Sequence, residues 1–143
     1  MGTRYETDVV AWANEQAALL RSGKLSQIDI ENIAEEIEDV GKSEKRELAS
    51  RLAALLAHLL KWQFQPGRHS SSWQRTIKEQ RKSLLRRIDK TPSLKGCLAD
   101  KEWLDDAWSD AVASTADETG LDVFPESCIW DMELILSQDF YPE

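Results

Sequence analysis

The sequence predicts an all-α protein, an up-and-down bundle of about four main helices with a long second helix and a short C-terminal one. Three observations carry this reading. Apolar residues recur at steps of three and four along most of the chain, and no stretch shows the period-two alternation of a half-buried strand. Only four prolines and six glycines interrupt 143 residues. The connections at 22–28, 64–72 and 90–93 are short, which makes consecutive helices antiparallel neighbours.

The first helix is expected over about 6–21. Val9, Trp12, Ala13, Gln16, Leu19 and Leu20 share a face, Thr7 or Thr3 caps the start, and Ser22-Gly23 ends it. The second is expected over about 29–63. Its seam runs Ile30, Ile33, Ile37, Val40, Glu44, Leu48, Leu52, Leu55, Leu59 and Trp62, passing through Gly41 without losing phase. A helix-turn-helix break would lose that phase, so one long helix is expected, with Gly41-Lys42-Ser43 as the place for a kink. Pro66-Gly67 stops it.

Ser70, Ser71 and Ser72 are natural caps for a third helix ending before Thr91-Pro92. Its inward face is Trp73, Ile77, Gln80 or Arg81, Leu84 and Ile88. A fourth helix is expected over about 94–118, with the stripe Leu94, Cys97, Leu98, Leu104, Trp108, Ala111 and Thr115, and Gly120 as its stop. A short helix over 129–137 and a tail, Phe140-Tyr141-Pro142, packed back on the bundle complete the chain. At this length a single domain over 1–143 is expected.

The composition limits the classes of function. The chain is 41% apolar and 31% charged, a globular balance that argues against disorder. The longest apolar run, 52–60, contains His58 and is far short of the ~20 residues of a membrane span. The start, MGTRYETD, leads into no signal-peptide core. Cys97 and Cys128 form no CxxC pair and are expected as small core residues in a reducing cytoplasm.

The net charge of -8 is unevenly spread. Residues 61–95 hold ten Lys or Arg against two acids, whereas 96–143 hold Lys101 alone against thirteen acids. A basic helix beside an acidic one is expected to pair its charges within the bundle. The functional reading of the same helix is a surface for nucleic acid, with Arg75, Lys78, Arg81, Lys82, Arg86 and Arg87 as cations. The acidic whole disfavours it.

Motifs for catalysis are missing. There is no G-x-S-x-G, no glycine-rich phosphate loop and no Glu-x-x-His. His58 lies at the edge of the seam, where a backbone carbonyl or a facing acid is its expected partner. A metal site using Glu35, Glu38, His58 and His69 is the sharper alternative, with a divalent metal as its cofactor; otherwise no cofactor is expected. His58, Trp62, Gln65, His69 and Trp73 gather at one bundle end around a proline turn, an arrangement suited to a ligand or partner.

Several of these residues belong to a wider pattern: Tyr5, Asp8, Trp12 and Asp29; the runs 35–38, 41–44 and 46–48; the run 58–66; then Ser72-Trp73, Ile77, Gln80-Arg81, Pro92-Ser93-Leu94, Glu118-Thr119 and Phe140-Tyr141-Pro142. Together they resemble the bacterial family catalogued as domain of unknown function 29, over nearly the whole chain. Trp108 stands where a tyrosine looks commoner in that family, and Ile129 follows Cys128 where a proline looks commoner. The resemblance implies an all-helical fold and brings no catalytic residues with it. The expected function is therefore a non-catalytic interaction or regulatory module for a protein partner or small ligand, with metal binding and nucleic-acid binding as alternatives.

Overall fold

The computed structural model describes residues 2–143 and contains, among them, six α-helices and no strand. They are α1 (Val9–Arg21), α2 (Ile30–Phe64), α3 (Ser71–Lys90), α4 (Lys95–Leu98), α5 (Lys101–Thr119) and α6 (Met132–Leu136). None is long and apolar enough to cross a membrane. The chain divides into two compact units, one ending at Ser43 and one beginning at Glu44.

In the first unit α1 begins at Val9, not at the expected Glu6. Asp8, rather than Thr7 or Thr3, caps it, accepting from the Ala11 amide at 3.1 Å. The first turns of α2 run antiparallel to α1, because Trp12 Nε1 donates to Asp29 (3.0 Å) while the Tyr5 hydroxyl donates to Glu36. Gln16 accepts from the Asp29 amide at 2.7 Å, one of the donors a helix start leaves without an internal partner. Only Trp12 and Gln16 are buried on α1.

The expected seam of α2 is corrected here. Ile30, Ile37 and Val40 are 65%, 67% and 67% exposed, and Ile33 is half-buried. The periodicity is helical, as expected, but three of the four branched residues on this half of it stand in solvent.

In the second unit the same seam is the core. Leu48, Leu52, Leu55, Leu56, Leu59 and Leu60 are buried against Ile77, Leu84 and Ile88 of α3 and Ala107, Trp108 and Ala111 of α5. Arg87 of α3 reaches Glu44 and Glu47, whereas Trp62 meets His69 just before α3; α2 and α3 are therefore antiparallel. Trp103 donates to the Lys45 carbonyl (3.3 Å) and Lys61 pairs with Glu118 (3.0 Å), so α5 runs parallel to α2. That is the up-down-up order of a bundle.

The expected fourth helix is two. It breaks at Ala99-Asp100, where Asp100 accepts from the Glu102 and Trp103 amides and starts α5 afresh. Gly120 ends α5 at φ 73°, the left-handed conformation that favours glycine. The last helix is shorter than expected, 132–136 against 129–137. Cys97 lies in the core, with Cys128 partly buried against it, and both are free thiols.

Candidate binding site

The aromatic turn after α2 is built by the end of that helix. A helix leaves its last four carbonyls without internal partners. The Gln65 amide takes the Lys61 carbonyl at 2.9 Å, and His69 Nε2–H takes the Trp62 carbonyl at 2.7 Å. The His69 ring then lies flat on the Trp62 indole, centroids 3.7 Å apart and planes within 17°. Tyr141 of the tail lies against the same indole at 4.8 Å. Trp62 and His69 are thus engaged with each other.

Gln65 and Trp73 lie a short way off, lining a cavity of about 160 Å³ with Lys61, Arg68, Glu118 and Thr119. Lys61 is a residue the sequence reading did not single out. It is buried, its ammonium held by Glu118 at 3.0 Å and set 5.5 Å from the Trp73 ring centre. The signal was present, a lysine inside the apolar run LLKW.

His58 is one turn upstream. Its Nδ1–H donates to the Ala54 carbonyl of its own helix at 2.9 Å, so the proton sits on Nδ1. Burial is the main cause holding its pKa below the usual 6.5, with Lys61 adding to the effect and the Ala54 carbonyl and Glu118 opposing it. Glu35 and Glu38 belong to the first unit, His58 and His69 to the second. Among the described residues no three His, Cys, Asp or Glu side chains gather as a metal-holding group.

On α3, Ser70 caps the start, accepting from the Trp73 amide at 3.2 Å. Ile77, Arg81, Leu84 and Ile88 are buried, so Arg81 and not Gln80 takes the inward position. Arg81 is 2% exposed. Its Nε donates to the Ile135 carbonyl (2.8 Å), one of the carbonyls that α6 leaves free, and its Nη2 donates to the Phe140 carbonyl (2.6 Å). The guanidinium lies 5.4 Å from the Tyr141 ring centre, which ties the C-terminal tail to α3.

Arg75, Lys78 and Lys82, one helical step apart, are exposed beside Arg81. These four cations line a groove of about 580 Å³ whose other wall includes Gln138, Asp139 and Tyr141. Arg86 is exposed and does not line it. The expected pairing of α3 with the acidic helix is not found: among the described residues the ion pairs of α3 run from Arg87 to Glu44 and Glu47 on α2.

No curated protein and no solved structure matches the chain. The family model described as "Domain of unknown function DUF29" matches residues 4–141. That span takes in both units, the aromatic turn and the basic groove, and it agrees with the pattern running from Tyr5 to Tyr141. The chain belongs to the DUF29 family.

Proposed function

We propose that this chain is a non-catalytic interaction module that docks a protein partner on the bare seam of its first unit. The observation carrying the reading is the exposure of Ile30, Ile37 and Val40. Steps of seven and three place them on one helical stripe, the pattern a partner helix fills. Five acids, Glu31, Glu35, Glu36, Glu38 and Asp39, accompany one lysine, Lys42, between residues 30 and 43. The complementary partner is a helix with an apolar stripe and basic flanks, since opposite charges favour docking and register. The acids also weaken the case for a second copy of the same stripe, because like charges would face each other.

The test uses a synthetic amphipathic helix with leucine at heptad positions and lysine on its flanks. Its binding to the full chain is followed by fluorescence anisotropy. The expected result is saturable binding that drops about tenfold or more in the Ile37→Asp, Val40→Asp variant, as loss of a buried apolar anchor implies. Binding is also expected to vanish when the lysines of the peptide are replaced by glutamates. Equal binding by the variant and the parent would refute the proposal. Sedimentation of the chain alone addresses self-pairing: a dimer lost on the same substitutions would replace the heterologous partner with a second copy.

A further inference from the structure

The groove beside α3 is separate in residues and chemistry from the docking face. Positions 71, 74, 75, 78 and 82 recur at three- and four-residue steps and form one wall. Placing cations at such steps costs a helix a few tenths of a kcal/mol per like-charged pair. Nevertheless Arg75, Lys78, Arg81 and Lys82 stand together, and none makes an ion pair among the described residues. Among the described residues Asp139 is the one acid lining the groove.

Arg81 is the more telling member. It carries a charge almost wholly removed from water, and its hydrogen bonds go to neutral carbonyls. Its Nη1 is buried with no hydrogen-bond partner among the described residues. A guanidinium in that state is stabilised by any anion brought close, because the field of a buried charge is weakly screened. Burial already pushes its pKa down, which Tyr141 and then Asp139 partly offset.

We propose that this groove binds a small phosphorylated molecule, with Arg75, Lys78 and Lys82 on its phosphate oxygens and the Arg81 charge behind them. A phosphate monoester brings a charge near -2 and three strong acceptors, which suits a cluster of several donors. The groove, at about 580 Å³, is the size of a single small-ligand pocket. A nucleic acid is the weaker fit. A long polyanion extends past the groove over a protein of net charge -8, whereas a compact phosphate stays within about one Debye length, ~8–10 Å, of the cations.

The experiment is titration calorimetry of the full chain with inorganic pyrophosphate at low and at physiological salt. One saturable site per chain is expected. The Lys78→Ala, Lys82→Ala variant is expected to bind at least about tenfold more weakly, as loss of two charge-assisted contacts implies. Arg86→Ala, which lies outside the groove, is expected to stay within about twofold of the parent. Both changes are at exposed positions, and circular dichroism checks that helix content is unchanged. Absence of a saturable site, or equal binding by the Lys78, Lys82 variant, overturns the proposal. So does binding of a single-stranded oligonucleotide without binding of pyrophosphate, which would make this a nucleic-acid surface instead.

Discussion

The two units use one helix in opposite ways. From Leu48 to Leu60 the apolar seam of α2 is closed by α3 and α5, and its leucines are almost wholly buried. From Ile30 to Val40 the same spacing continues, yet three of its four branched residues stand in solvent. Of the large apolar residues left exposed in the chain, Val9, Val10, Leu20, Leu25, Ile30, Ile37 and Val40 lie in the first unit, although it has fewer than half the residues. Its cohesion comes mainly from polar contacts at Asp29, Glu36 and Glu15 and from one buried indole. Asn32 and then Trp12 hold the Asp29 carboxyl below the usual carboxylate range, and Thr3 does the same for Glu15. The Tyr5 phenol is pushed up to about 12, chiefly by its hydrogen bond to Glu36. A helical stripe therefore records which face is apolar; what covers it depends on how much neighbouring helix is available. The 13 residues of α1 extend only about 20 Å, and they bury just Trp12 and Gln16.

The contrast can be broken most forcefully in the core. Leu52→Ala, at a site 1% exposed, is expected to lower unfolding stability by about 3–4 kcal/mol in urea titrations, whereas Ile37→Ala changes it by about 0.5 kcal/mol or less. Comparable losses at both positions would mean the seam is covered throughout. Next in size is the Lys61–Glu118 pair. Glu118→Ala leaves a buried ammonium without its carboxylate, and a loss of about 1–2 kcal/mol is expected, reduced because Glu118 itself is largely in solvent.

Gly41→Ala sharpens the comparison with a gain. Gly41 is within α2, where an added Cβ meets nothing within 4 Å. Alanine there is expected to stabilise by about 0.5–1 kcal/mol, seen as a raised Tm. A loss would indicate a kink that needs glycine.

The last prediction concerns pH. The folded state lowers the pKa of His58, so the unfolded chain binds the proton more readily. The resulting stability is complete above about pH 6.5 and declines as the pH falls below it. His58→Gln is expected to flatten that part of the stability-pH curve, and an unchanged slope would assign it to other groups.

Much of the fold was legible in the sequence because steps of three and four, together with Pro66-Gly67, Ser70 and Gly120, specify helices and their ends. The break at Ala99 was hidden because Cys97 and Leu104, seven residues apart, stay near one stripe across it; Asp100, a good cap, was the signal available. Less of the candidate site could be read. Trp62 and His69 were offered as part of one cluster, but residue types do not reveal that the pair stack on each other and close the helix end. Arg81 was placed among the cations and also offered as an inward residue; the structure makes it both, which periodicity and charge taken singly do not combine.

Amide hydrogen exchange along α2, resolved by mass spectrometry on the full chain, tests the division most directly. Amides of 48–60 are expected to exchange only through global unfolding, and those of 30–40 through far cheaper local opening, orders of magnitude faster. Uniform protection from Ile30 to Leu60 would contradict the account, because it would make the exposed half of the seam as firmly held as the core.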